Sequence, residues 1–299
     1  MNAIKLSQSS QAMLSLLTSI FLFGTALSVV KIALVDYDPL FLVFIRMLTA
    51  FLVLTPIVLI RCRPIHIHSK RDLGLLILLA LCDPIGFFTF EALGVQYTSS
   101  SQAGMMWALG PLLNTMTAWL ILRERTTLTM ILCFLAAMGG VMLLTLASAT
   151  DEHAPNPLLG NFFIFLCLCG AAGFMTILRF LRGKYPAVMV VWVQTLIGTI
   201  FLFPTLLTGL APLPQTFHWQ SFMTLIYLGA GVTFGAQACA AFAVARMPIA
   251  KYSAVENLVP VVALLTGLIL LGETMLPLQW LACAIIFAAV LVSQYMHRE

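Results

Sequence analysis

Ten apolar runs, each close to the length that crosses a bilayer, limit what this chain can become. They cover residues 14–35, 40–60, 73–92, 99–122, 128–147, 158–178, 187–208, 221–244, 250–271 and 278–296. Roughly 20 mostly apolar residues cross hydrocarbon as a helix. Backbone polar groups in lipid must pair within their own segment, so each run is predicted to be helical. A β-barrel would need alternating segments of about 10 residues, and the runs do not alternate. Charged residues make up 9% of the 299, against about 25% in soluble domains. Lipid is therefore the expected solvent for most of the surface. The first run is too long for a signal-peptide core and is read as a retained span. The seven cysteines are odd in number and have no zinc-site spacing; they are read as small packing residues.

The runs repeat. Trp107-Ala-Leu-Gly-Pro111 in the fourth run ends at Arg123-Glu124, and Glu256-Asn-Leu-Val-Pro260 in the ninth ends at Gly272-Glu273. Pro111 and Pro260 are 149 positions apart, as are Glu124 and Glu273, and the offset holds without a gap from about residue 73 to residue 143. A fixed internal period marks a duplicated unit. The expected units are residues 1–147 and 148–299, five spans each. Five is odd, so the second unit enters the membrane from the opposite side. The predicted fold is an all-α integral membrane protein of ten helices in two inverted five-helix repeats. Such repeats supply related gates on the two faces around a site near the midplane.

Basic residues fix the expected orientation. Of the 15 Lys and Arg residues, all but Lys31 and Arg46 fall at alternate connections or at the termini. The intervening connections carry Asp36, Asp38, Asp151, Glu152 and Glu273. Cytoplasmic loops hold the Lys and Arg excess, so both termini are expected in the cytoplasm. This distribution speaks against a nucleic-acid partner. Lys31, near the outer end of its span, is read as snorkelling to the interface.

Several motifs resemble one family. Lys31-Ile-Ala-Leu precedes Asp38-Pro39, and Phe44-Ile-Arg46 lies in the second run. Ala92-Leu93 and Tyr97-Thr98 lead into Ser101-Gln-Ala-Gly-Met105, followed by Pro111 with Arg123-Glu124 and by Pro260 with Gly272-Glu273. The chain is similar in these features to the drug/metabolite transporter superfamily, of the ten-span type with two EamA repeats. The resemblance implies export or exchange of small metabolites, often amino acids, across a bacterial inner membrane. It also implies a central cavity lined by spans 1–4 and 6–9, with spans 5 and 10 peripheral.

Ionisable groups inside a bilayer are costly and become functional candidates. Arg46, Asp83, Glu91 and Glu256 are the four here. Arg46 can reach Asp83 or Glu91, either as a static pair between spans two and three or as a group that engages a substrate carboxylate. Asp83 precedes Pro84, which removes a backbone donor; helical spacing places Asp83, Phe87 and Phe90 on one face. Pro260 follows Glu256 by four positions and is expected to break the helix there, as Pro111 does in the first repeat. Trp107, the repeat counterpart of Glu256, is read as a cavity wall, with Asn114 on its face. The expected substrate-binding set is Arg46, Asp83, Phe87, Trp107, Asn114, Gln237 and Glu256. Asp83 and Glu256 are the proton-coupling candidates, and Pro84, Pro111 and Pro260 the helix breaks. Gly231-x-x-x-Gly235 and Gly139-Gly140 are read as close-approach surfaces, the latter for a homodimer. His66-x-His68 is too sparse for a metal site.

No metal or cofactor is expected, and no phosphate loop, HExxH or GxSxG motif supports catalysis. The expected function is secondary transport of a small metabolite, an amino-acid-like solute first. A transporter of amine or quaternary ammonium cations is the alternative. A membrane enzyme and a structural or sensing protein without flux are the alternatives in other classes.

Overall fold

The computed structural model describes residues 8–62, 67, 69–123, 126–148, 150, 154–181, 184–214 and 216–296, with the backbone alone at 249, 250, 253 and 254. His66, His68, Glu124, Asp151 and Glu152 lie outside the described residues. Among the described residues, nine helices are long and apolar enough to cross a membrane. They are α1 (Gln8–Ala33), α2 (Pro39–Arg61), α3 (Lys70–Tyr97), α4 (Ser100–Leu122), α5 (Leu128–Leu146), α6 (Pro157–Phe180), α7 (Ala187–Leu207), α8 (Trp219–Val244) and α11 (Pro277–Met296). The ninth crossing is divided into α9 (Ile249–Glu256) and α10 (Val259–Leu270). Ten crossings put the start of α1 and the end of α11 on one face, called here the terminal face.

Short polar residues start these helices. Asp38 accepts a hydrogen bond from Leu40 N at 2.8 Å, Ser69 from Asp72 N at 3.1 Å and Ser99 from Gln102 N at 3.3 Å. Thr127 and Asn156 do the same for α5 and α6. Each satisfies one amide that the first helical turn leaves without a partner.

The packing is symmetric under exchange of the two repeats. The principal pairs are α3 with α6, α8 with α1, α4 with α6, α10 with α1, α2 with α7, α4 with α10, and α5 with α11. Replacing each helix by its counterpart turns α3–α6 into α8–α1, and α4–α6 into α10–α1. It leaves the other three pairs unchanged. With five crossings per repeat, that symmetry is a two-fold axis lying in the membrane plane. Side chains obey it as well. Tyr185 Oη donates to Asp72 Oδ2 at 2.9 Å, and Ser221 Oγ donates to Asp36 Oδ2. Asp72 and Ser221 are repeat counterparts, and their partners Tyr185 and Asp36 lie in the equivalent loops before α7 and α2. Equivalent elements are thus bonded in both repeats.

Small residues bring the helices together, as expected where lipid tails compete for apolar contact. A Cβ on Gly160 would lie 2.6 Å from Thr98 N, and one on Gly94 would lie 2.6 Å from Ile164 Cδ1, so α3 and α6 touch almost backbone to backbone. The expected glycine surfaces fall elsewhere. Gly231 and Gly235 sit in an unwound stretch of α8, where Gly231 meets only the Tyr227 ring of its own helix. The close approach of α8 to α2 is made by Gly229, against Thr49 and Arg46 O. Gly140 faces Ile286 and Ala282 of α11 in the same chain, while Gly139 faces open space. Lys31 does not snorkel: its Nζ donates to Val95 O at 2.6 Å and Thr98 O at 2.9 Å. It thereby holds the end of α1 to the last carbonyls of α3.

Candidate functional site

Four crossings are irregular near their middles, in two repeat-related pairs. In α3 a wide, π-type turn runs over Leu81–Gly86, and in α8 another runs over Tyr227–Ala236. In α4 the ladder tightens to a 3-10 turn at Trp107–Leu109 and restarts at Gly110-Pro111. The ninth crossing stops at Glu256 and restarts at Val259-Pro260. Pro111 and Pro260 both occupy the first turn of the new segment. A proline there has no amide to lose and a φ already suited to a helix. Each proline therefore begins a segment at low cost and keeps the preceding ladder from continuing through it. Carbonyls before the break lose their partners, which makes a polar place at mid-membrane.

The α4 and α9–α10 breaks face a common cavity of about 290 Å³. Trp107, Pro111 and Asn114 of α4 form one wall, and Glu256, Asn257 and Pro260 the facing one. Phe23 of α1, Met175 of α6 and Phe287 of α11 complete the apolar surface. Met175 lies in the last turns of α6, and the contributing residues of α11 lie in its second half. The cavity therefore occupies the half of the bundle nearer the terminal face.

Glu256, the carboxylate among the described residues of this wall, is exposed. Its Oε1 accepts from Tyr252 Oη at 2.9 Å, one turn earlier in α9; Lys251 is not its partner. Trp107 Nε1 is buried with no hydrogen-bond partner among the described residues. An unpartnered buried donor costs about 1–3 kcal/mol, and a ligand acceptor in the cavity is the natural way to recover it. Phe87 packs on the Trp107 ring at 5.9 Å and supports it from behind. Asn257 is held to α11 by reciprocal amide bonds with Gln294 of 2.6 and 3.0 Å. Asn114 is the other amide in the wall.

Arg46 is elsewhere. Its Nη1 pairs with Glu91 Oε2 at 2.6 Å, and its Nε donates to Thr233 Oγ1 at 2.9 Å. Its guanidinium carbon stacks 3.6 Å from the centre of the Phe88 ring. Both charges are buried. The cluster ties α2 to α3 of the same repeat and to α8 of the other. Thr233, absent from the expected set, could have been suspected as a polar group in α8 opposite Arg46.

The sequence-derived set thus divides. Trp107, Asn114 and Glu256 share the cavity, and Phe87 backs it. Arg46, Asp83 and Gln237 lie outside its wall. Asp83 is half-buried in the α3 turn with extended backbone (φ −147°, ψ 122°), and its carbonyl accepts from Gln194 Nε2. This break removes the helical register that would have aligned Asp83 with Phe87 and Phe90. Phe90 instead stacks on Phe163 at 6.1 Å. The described wall of this cavity takes residues from spans 1, 4, 6, 9 and 10, and span 10 takes part because α11 packs on the α4 break.

The cavity lies in the half of the bundle nearer the terminal face, and the opposite face is bonded shut. Glu273 Oε1 accepts from Ser100 N at 2.7 Å and Ser100 Oγ at 3.0 Å; its Oε2 accepts from Ser101 N at 2.8 Å and Ser101 Oγ at 2.5 Å. Beside it, Gln102 Oε1 accepts from Ser148 Oγ at 2.8 Å and Thr98 Oγ1 at 3.2 Å, and Gln279 Nε2 donates to Ser148 at 3.0 Å. Asn161 joins the same network. Sequence reasoning used Glu273 as a loop charge and as a mark of the repeat and family motif, and assigned it no role in the site. Its signal was the repeat match to Glu124.

Two inverted helical repeats enclosing a cavity at paired helix breaks define the architecture of a membrane transporter. The chain matches the EamA-like transporter family over residues 10–146 and 158–295, one match per repeat, and belongs to that family. It is 26% identical over 275 residues to YcxC of Bacillus subtilis, an uncharacterized transporter, covering 90% of this chain and 88% of that one. It is 24% identical over 292 residues to a probable terminal-alkyne amino-acid exporter of Streptantibioticus cattleyicolor, covering 95% and 93%. A solved crystal structure shares the fold at 18% identity with a TM-score of 0.61, covering 97% of this chain and 98% of that one.

Proposed function

We propose that the chain is a secondary transporter that moves an amino-acid-like solute across a bacterial inner membrane by alternating access, with no catalytic step. The cavity at the repeat-related breaks carries this reading. Glu256 offers a partner for an ammonium group. Trp107 Nε1 and Asn114 offer donors for a carboxylate, and Phe23, Met175 and Phe287 an apolar wall for a side chain. Its volume is at the lower end of small-molecule pockets, about 300 Å³, in keeping with a compact solute. The amino-acid exporter among the relatives supports the same class. The described basic residues Arg61, Lys70, Arg71, Arg123, Arg179, Lys184, Arg246 and Lys251 lie at the terminal ends of their helices or in the adjoining loops. The positive-inside rule makes that face cytoplasmic. Repeat boundaries at 1–147 and 148–299 are part of this reading.

One observation favours a second substrate class. Arg46 is engaged by Glu91 away from the cavity, so among the described wall residues the full charge is an acid, Glu256, facing Trp107. That pairing also suits an amine or quaternary ammonium ion through cation–π attraction. Counterflow in proteoliposomes separates the two, with labelled amino acids run beside the corresponding amines. The first reading expects the carboxylate to be required, with Trp107→Phe and Asn114→Ala raising KM for the amino acid. Equal transport of the decarboxylated amine would leave only the second reading. Transport of neither would remove both.

Proton exchange is assigned to Glu256, with Asp83 as the second candidate. Under an imposed pH gradient, Glu256→Gln is expected to lose gradient-driven accumulation while retaining exchange at a raised KM, since the ammonium partner loses its charge. Unchanged gradient dependence in Glu256→Gln would assign the proton to Asp83 or to no side chain of this set, and Asp83→Asn distinguishes those outcomes.

A further inference from the structure

We infer that Glu273 is the positioning residue that holds the non-terminal gate shut, and that its bonds to Ser100 and Ser101 must break for the cavity to face the other side. The inference rests on the alternating-access reading above. Glu273 belongs to the second repeat and the two serines to the first, so this contact spans the seam that alternating access would open. The carboxylate receives four donors, two of them the first amides of α4. A helix start carries unpaired amides and partial positive charge, which favour an anion. Glu273 is buried, and it is reached by a turn through Gly272 at φ 65°.

The local packing is built around this contact. A Cβ on Gly267 would meet Ser100 Oγ at 2.7 Å and Glu273 Oε2 at 2.5 Å, so α10 leaves the room the latch occupies. One turn further into α4, a Cβ on Gly104 would lie 2.5 Å from Ala263 Cβ, which keeps α4 and α10 in contact below the latch. Ser28 Oγ donates to Thr266 Oγ1 at 3.1 Å and joins α1 to the same seam.

The two faces are not chemically equal. Ser100, Ser101 and Gly267 correspond by the 149-residue offset to Ile249, Ala250 and Ala118. The terminal face lacks both hydroxyl donors and has a methyl group where α10 has a hydrogen. Thr98, which extends the closed network, corresponds to Met247. The sequence therefore makes the bonded closure of one face stronger than that of the other, and the state with the cavity open toward the terminal face is the resting one.

Hydrogen–deuterium exchange of the full chain in nanodiscs tests this without a substrate, so a mistaken substrate class leaves the result interpretable. In Glu273→Ala the amides of Ser100–Met106 are expected to exchange about tenfold faster, the loss associated with a charge-assisted bond. Cavity segments 107–114 and 256–260 are expected to exchange more slowly as the terminal side closes. Glu273→Gln, which retains one acceptor oxygen, is expected to fall between. Faster exchange at 100–106 with no slowing in the cavity segments would make Glu273 a helix cap without a gating role. No change in either region would equally overturn the proposal. Gly267→Ala presses on the latch without removing it and is expected to shift both regions in the same direction, which keeps the test open if Glu273→Ala does not fold.

Discussion

At the residue scale, the chemistry separates a charge that binds from a charge that builds. Glu256 is in the cavity with one tyrosine partner. Arg46 is buried under Phe88 with Glu91 and Thr233. Removing one member of a buried pair costs about 3–5 kcal/mol because the other charge is left without compensation. Arg46→Met is therefore expected to lower the melting temperature of the purified protein sharply. The double variant Arg46→Met/Glu91→Leu is expected to recover much of that loss. A single and double variant of equal stability would mean that the pair is not compensating. The sequence disclosed that Arg46 needed a carboxylate, because an arginine at that depth cannot stand alone. It did not disclose which, since Asp83 and Glu91 lie on the same crossing and only the break at Asp83 turns one of them away.

At the element scale, the breaks in α4 and α9–α10 were legible because proline announces itself. The wide turn in α3 was signalled by Pro84 in the same way. Its counterpart in α8 contains no proline, only Gly229, Gly231 and Gly235. Glycine spacing alone does not distinguish a helix that unwinds from one that packs closely, and the Gly231-x-x-x-Gly235 pattern was read as the second. The real close approach of α3 and α6 depends on Gly94 and Gly160. Gly160→Val would force Thr98 and its backbone away and is expected to cost about 1–3 kcal/mol, as overpacking typically does. Thermal unfolding in detergent would record it. Gly139→Val, on an open surface, is the matched control and is expected to leave the midpoint within a degree or two of the parent, since surface changes lie within about 0.5 kcal/mol.

At the scale of the whole molecule, inversion followed from arithmetic: an odd number of crossings, duplicated, must run the other way. The exchange-symmetric helix pairs bear it out, and the Tyr185–Asp72 and Ser221–Asp36 contacts join equivalent elements in the two repeats. Which face is closed could not be read in advance. That depends on whether hydroxyls, amides and a carboxylate converge, and residues as far apart as Ser100 and Glu273 declare their meeting only when folded. Breaking the terminal-face ion cluster of Lys184 with Asp72 and Tyr185 leaves the opposite closure intact. Asp72→Asn is accordingly expected to loosen exchange at the start of α3 and not at Ser100–Met106.

The paired turns at the ends of α4 and α10 carry one more implication. Gly272 and its counterpart Arg123 both adopt left-handed backbone, φ 65° and 56°. An L side chain there costs about 1–2 kcal/mol that glycine does not incur. Arg123→Gly should thus make a sturdier protein, yet it would erase a cation from a border where cations tell the inserting chain which way to face. Under the orientation proposed above, the duplicate on the other border needs no cation and carries the relaxed residue. On that reading the strain at Arg123 is a compromise between folding well and being threaded into the membrane the right way up.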